Sequence, residues 1–124
     1  MHPLHKLQVH AEATSFAQLC YRHARSIVEF DLRAQFLRSA RSIAANLAEG
    51  AGAPSQAVFA RYVAIALASG RETQSHLEMA RISGQPSLAQ YDELAHWISR
   101  LMPRMYRLHA ALKQNAARRA KTES

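Results

Sequence analysis

The sequence predicts an all-α protein, an antiparallel up-down-up-down four-helix bundle. Three observations carry that expectation: a helix-favouring composition, four apolar stripes at helical spacing, and three short breaker clusters between them. Of 124 residues, 48% are hydrophobic, but 24 of these are alanine, so bulky core side chains are fewer than the percentage suggests. Alanine, leucine, arginine and glutamine together favour helix. Four glycines and four prolines are too few for a sandwich or barrel that must turn every ten residues or so. The length suits one compact domain that needs no disulfide or metal staple. A single cysteine excludes an intrachain disulfide and points to a reducing compartment. No apolar run approaches the roughly 18 residues of a membrane span, and MHPLHKLQVH lacks a signal-peptide core, so the expectation is a cytoplasmic protein with no membrane partner.

The first helix is expected from Leu7 to Glu29, with Phe16, Leu19, Cys20, His23, Ala24, Ile27 and Val28 recurring at spacings of three and four. A turn at Phe30-Asp31 ends it, with Asp31 as N-cap of the next. The second helix covers Leu32 to Glu49 and buries Leu32, Phe36, Ala40, Ile43 and Leu47. Arg38, Ser42, Ala45 and Glu49 lie on its opposite side. Gly50 reads as a left-handed stop opening the breaker cluster 50–54.

Ser55 caps a third helix reaching Ile82, whose inner face runs through Val58, Phe59, Tyr62, Val63, Ile65, Ala66, Ser69, Thr73, Leu77 and Ala80. Gly70 in mid-helix costs about 1 kcal/mol relative to alanine and marks a close helix approach. Ser83-Gly84-Gln85-Pro86 breaks the chain again, and Ser87 with Gln90 forms a capping box. Leu94, Ile98, Leu101, Met105, Leu108 and Leu112 carry one stripe straight through Pro103, which predicts one kinked helix and not two. Beyond Asn115 the chain is polar and basic, so residues 1–115 are read as the bundle and 116–124 as a flexible basic tail.

Charge gives the first functional indication. Sixteen basic residues against nine acidic leave a formal charge of +7, and thirteen of the sixteen are arginine. The planar guanidinium suits phosphate, so an anionic partner, nucleic acid above all, is expected. A compositional bias from lysine to arginine would produce the same count without a ligand. Arg100, Arg104 and Arg107 align on one face of the fourth helix, and Lys113, Arg118, Arg119 and Lys121 extend the row. Arg38 and Arg41 add a second group on the second helix, with Arg33 further round. The competing explanation is a solvated outer face, or salt bridges to Glu49 and Glu72.

No catalytic constellation is present. Seven histidines include no pair at i and i+4 with an acidic partner, and nothing near His2 and His5 completes a metal site. Cys20 and His23 share the apolar stripe, where a thiol is inert. There is no phosphate-binding glycine loop after a strand. The expectation is a protein that is not an enzyme and needs no cofactor.

The stretch Gln35-Phe-Leu-Arg38-Ser-Ala-Arg-Ser42-Ile43-Ala-Ala-Asn46-Leu47-Ala48-Glu49-Gly50-Ala-Gly52 resembles the Q-x-x-R-x-x-x-S-I-x-x-N-I-A-E-G-x-G signature of the 23S rRNA intervening-sequence protein family. Phe59, Tyr62, Val63, Ile65, Ala66, Ser69 and Glu72 follow that family's third-helix pattern F-x-x-F-L-x-I-A-x-G-S-x-x-E. Leu7-Gln8-Val9 is similar to its N-terminal L-x-V-W, with histidine for tryptophan. The resemblance implies a left-handed antiparallel four-helix subunit that assembles into a ring, commonly a homopentamer, with no settled activity. It also implies a likeness in fold to the accessory proteins of diversity-generating retroelements, basic pentamers that bind nucleic acid. Ala44, Ala51, Ala53 and Ala68 depart from the pattern, and Ala53 removes a basic residue beside the motif loop. Asn46, Glu49, Gly50 and Glu72 take structural roles, the polar pair hydrogen-bonding the loop and capping helix ends.

Tyr21, Leu37, Tyr91, Trp97 and Tyr106 fall partly off the core stripes, as residues of a subunit contact would. A ring would multiply each arginine row. The function expected is therefore a non-enzymatic, ring-forming protein that binds RNA or DNA through phosphate contacts of low sequence specificity. The alternative is a protein-interaction or scaffolding module with an unidentified protein partner.

Overall fold

The computed structural model describes the backbone of residues 3–123 and the side chains from Gln8 to Glu123. Four α-helices follow one another: α1 (Pro3–His23), α2 (Phe30–Ala51), α3 (Gln56–Ile82) and α4 (Leu88–Glu123), with a 3-10 turn at Ala24–Ser26 after α1. There is no strand among the described residues. Each helix packs against two others. α2 lies between α1 and α3, α4 closes the set by contacting α3 and α1, and the diagonal pairs make no close backbone approach among the described residues. That all-helical packing is consistent with a bundle.

The stripes meet at the centre. Phe16, Phe36, Ile43, Val63, Leu94, Leu101, Met105 and Leu112 are fully buried, each contributing about 1.5–3 kcal/mol of apolar transfer. Leu32, Val58 and Tyr62 are half-buried, and two further expected core positions are exposed. Val28 is 78% exposed, because α1 gives way to the 3-10 turn and Ile27 leaves in extended conformation. Ile65 is 49% exposed, on the outer side of α3.

The helix ends show local chemistry at work. Ser55 Oγ accepts from the Val58 amide at 3.2 Å. Ser87 and Gln90 form the reciprocal box, with Gln90 N donating to Ser87 Oγ at 3.1 Å and Ser87 N to Gln90 Oε1 at 3.2 Å. α3 ends in a Schellman arrangement: Gln85 N reaches Ala80 O, Gly84 N reaches Arg81 O, and Gly84 adopts φ 70°. Asp31 is not the N-cap of α2. Glu29 occupies that position without a side-chain cap bond, and Asp31 sits in the first turn, where its charge favours the helix dipole. The Glu29 amide donates instead to Gln85 Oε1 at 2.9 Å, tying the turn after α1 to the turn after α3.

Gly50 is not a left-handed stop either. It lies within α2, and Gly52 takes the cap position with φ −89°. The reason for glycine at 50 is contact: an added Cβ would come 2.7 Å from Phe59 Cδ1 and 2.9 Å from Tyr62 Cβ. Gly70 does mark a close approach, since its missing side chain admits the Met102 thioether from α4. α4 continues through Pro103 as expected, and it stays helical to Glu123, over residues where the sequence predicts fraying.

Candidate functional site

The motif residues converge on the seam between α2 and α3. Gln35, Arg38 and Ser42 recur at three- and four-residue spacing along α2, and Ser69, Glu72 and His76 do so along α3, facing them. Together with Ser39 they line an open groove of about 380 Å³. Below the groove the seam is held by hydroxyls. Asn46 Nδ2 donates to Ser42 Oγ at 3.0 Å and to Ser42 O at 2.8 Å. Its donation leaves the Ser42 proton free for Ser69 Oγ, 2.7 Å away. One turn along, Thr73 Oγ1 lies 2.9 Å from Ser39 Oγ and 2.8 Å from Ser69 O, while Ser39 Oγ donates to Phe36 O at 2.9 Å. Among the described residues no buried side-chain nitrogen or oxygen lacks a partner, so these polar groups escape the desolvation penalty an unpaired one would incur.

Two expected motif roles change. Ser42 turns toward α3 instead of facing solvent, and Asn46 bonds within α2 instead of holding the loop. Glu49 and Glu72 are exposed, and no ion pair engages either among the described residues.

The arginines divide into engaged and open groups. Arg104 is ion-paired with Glu12 of α1, which removes the central member of the expected α4 row. Glu12 also borders a small cleft of about 90 Å³ with His96, Trp97 and Arg100. Arg119 pairs with Glu123 at 3.0 Å within one turn. Arg38, Arg41, Arg100, Arg107 and Arg118 are exposed, with no carboxylate partner among the described residues. The structure does not bring these together on one surface: α2 and α4 are diagonal helices with no close backbone approach among the described residues. Lys113 does not extend the α4 row. It lines the cleft along the α3–α4 seam with Arg61 and His109, two residues the sequence reading did not single out. Helical spacing alone marks an angle on α4 but not which neighbour lies at that angle.

Elsewhere, Arg81 donates to both Glu78 oxygens from Nε at 3.0 Å, and Tyr91 OH donates to Glu78 at 3.2 Å. The Arg81 hydrogen bond holds the Glu78 carboxyl below the usual carboxylate range. Burial, with Glu78 adding to it, raises Tyr91. Cys20 is buried, and desolvation pushes its thiol far up, so a thiolate nucleophile is not available there. His23 Nε2 meets Glu93 at 3.0 Å. No group of three metal-ligating side chains occurs among the described residues, and His2 and the His5 side chain lie outside them. No described helix is long and apolar enough to cross a membrane.

A small all-helical chain whose signature residues knit two helices through a hydroxyl seam is thereby defined. The chain belongs to the 23S rRNA-intervening sequence protein family, whose model matches residues 5–107. A crystal structure of a protein with unknown function from the S23 ribosomal protein family of Bacteroides thetaiotaomicron VPI-5482 is similar at 27% identity and a TM-score of 0.78. The match covers 82% of this chain and 97% of that one. No curated protein matches.

Proposed function

We propose that the protein is a non-enzymatic homo-oligomer, a homopentameric ring of antiparallel up-down-up-down subunits, that binds RNA or DNA through arginine–phosphate contacts. The observation that carries the nucleic-acid reading is the +7 charge, with exposed guanidiniums on α2 and α4 that no carboxylate engages among the described residues. Such groups are available to a polyanion at little desolvation cost. Antiparallel neighbours are supported by the short connections at 27–29, 52–55 and 83–87, and by pairings that run in opposite order. Ser39 with Thr73 and Ser42 with Ser69 join α2 to α3, and Glu12 with Arg104 and His23 with Glu93 join α1 to α4. The family resemblance and the sequence support the left-handed sense, the ring and a cytoplasmic location. Filter binding of a mixed-sequence polynucleotide tests the reading. Affinity should fall by about 10³ or more between 50 and 200 mM salt if six or more phosphates are engaged. Absence of retention at 50 mM salt removes the reading. Light scattering checks the ring.

A second reading, a protein-interaction module, is favoured by one observation. Val28, Phe30, Ile82 and Leu88 are each at least 65% exposed, and the Glu29–Gln85 bond places their two turns at the same end of the molecule. A nuclease-treated pull-down that retains a protein partner at high salt would favour it.

A further inference from the structure

The two seams that α3 makes differ as seats for a polyanion. The α2–α3 groove has the acidic Glu72 in its lining as well as Arg38, and the outer row of α4 is interrupted by Glu12 bound to Arg104. The α3–α4 seam differs from both. Its floor is alanine, at positions 57, 60, 64 and 116, and its rim carries Arg61, His109 and Lys113 with no acidic residue in a cleft of about 260 Å³. On α4, Tyr106 precedes His109 and Lys113 by three and seven residues, so all three share a face. Tyr106 is 47% exposed. Arg71 of α3 donates to its hydroxyl at 3.0 Å, which fixes the ring over the seam.

We propose that the α3–α4 seam seats single-stranded nucleic acid, with Arg61 and Lys113 on the phosphates and the Tyr106 ring as a stacking platform. The proposal rests on the nucleic-acid reading above and narrows it to one strand and one surface. Three features select a single strand. The cleft admits a sugar or a base, but not a duplex, whose bases are stacked inside. An alanine floor offers apolar area without reading base edges. An exposed tyrosine held by a neighbouring arginine gives a flat face of the kind that unpaired bases occupy, and a cationic track beside aromatic rings is how single strands are held without sequence preference. Arg61 and Arg71 are ten residues apart on α3, so the cations and the ring cover about 15 Å of seam.

The test is fluorescence anisotropy of the full chain with a labelled 20-nucleotide single strand, as RNA and as DNA, and with the matching duplex, at 50 mM salt. The single strand is expected to bind at least about tenfold more tightly than the duplex. Arg61→Glu with Lys113→Glu should weaken it by tenfold or more, with helicity by circular dichroism unchanged. Tyr106→Ala should weaken it by about tenfold, and Tyr106→Phe by less than threefold. Photocrosslinking the wild-type chain to a 4-thiouridine-labelled strand should mark peptides containing residues 61–71 and 106–113, a readout independent of variant folding. Crosslinks elsewhere, with loss of binding only in Arg100→Glu/Arg107→Glu or Arg38→Glu/Arg41→Glu, overturn the seat and leave the nucleic-acid reading standing. Equal or tighter duplex binding overturns the single-strand assignment. Failure to bind either form at 50 mM salt removes both.

Discussion

The two seams of α3 are built from opposite materials. Toward α2 the contact is polar and complete: Ser39, Ser42, Ser69, Thr73 and Asn46 satisfy one another, and Gly50 lets Phe59 and Tyr62 close against the α2 backbone. Toward α4 the contact is soft: Gly70 receives the Met102 thioether, and the outer edge is alanine with cations. Hydrogen bonds of fixed geometry specify register, whereas thioether and methyl contacts tolerate sliding. Of the family's signature residues, Ser42, Asn46 and Ser69 lie in this hydroxyl network. The seam proposed as a seat for nucleic acid lies on the other side of the same helix.

The contrast can be broken most directly at the two glycines. Gly50→Val should cost roughly 2–3 kcal/mol, because its side chain would meet an aromatic ring and a Cβ that cannot both withdraw. Gly70→Ala should shift stability by less than about 1 kcal/mol. There the new methyl meets the far end of Met102, which can swing, and helix propensity gains about 1 kcal/mol. Chemical denaturation midpoints compare the two, and equal losses would erase the distinction between a rigid and a compliant seam.

An effect smaller than that of Gly50→Val is expected from Thr73→Val. The isosteric change removes the hydroxyl that lies between Ser39 Oγ and Ser69 O, at a cost of about 1–2 kcal/mol. Adding Ser39→Ala should recover part of that loss, which a double-mutant cycle would measure.

The smallest effect distinguishes the seams by pH. Glu78, bonded to Arg81 and Tyr91 near the α3–α4 turn, has its carboxyl lowered in the folded state. Its contribution is therefore present above the unfolded carboxylate value and is lost as pH falls through the folded one. Denaturation of Glu78→Gln from pH 7 down to pH 3 should show a penalty that shrinks on acidification. The Thr73→Val penalty, which involves no ionisable group, should stay constant over the same range.

Much of the helical layout was legible because local chemistry decides it. Ser55, the Ser87–Gln90 box, Gly84 and the stripe through Pro103 are written within a few residues of where they act. Gly70 was legible too, since a glycine inside a long helix needs a packing reason. The misreadings share one cause. Gly50 resembles a helix stop until Phe59 is seen against it, and Arg104 resembles a free cation until Glu12, ninety-two residues away in the chain, is brought alongside. Lys113 lies outside the Arg100–Arg107 row for the same reason: its direction has meaning only once α3 is placed. Arg61 gave no signal because it stands apart from the rows read on α3, and His109, which shares a face of α4 with Tyr106 and Lys113, gave none until α3 is placed beside that face. The candidate seat is a product of two helices, and no single periodicity describes it.

The length of α4 has one more consequence. It runs 36 residues against 27 for α3, and the Gly70–Met102 contact puts the first residues of α3 beside Ala116. The closing two turns of α4 therefore project past their neighbour and depend on alanine propensity and the Arg119–Glu123 pair. Amide protons there should exchange orders of magnitude faster than those at Leu101 or Met105, without any global opening of the fold. The molecule thus carries a short helical spur that melts on its own schedule, at the mouth of the cleft lined by Lys113.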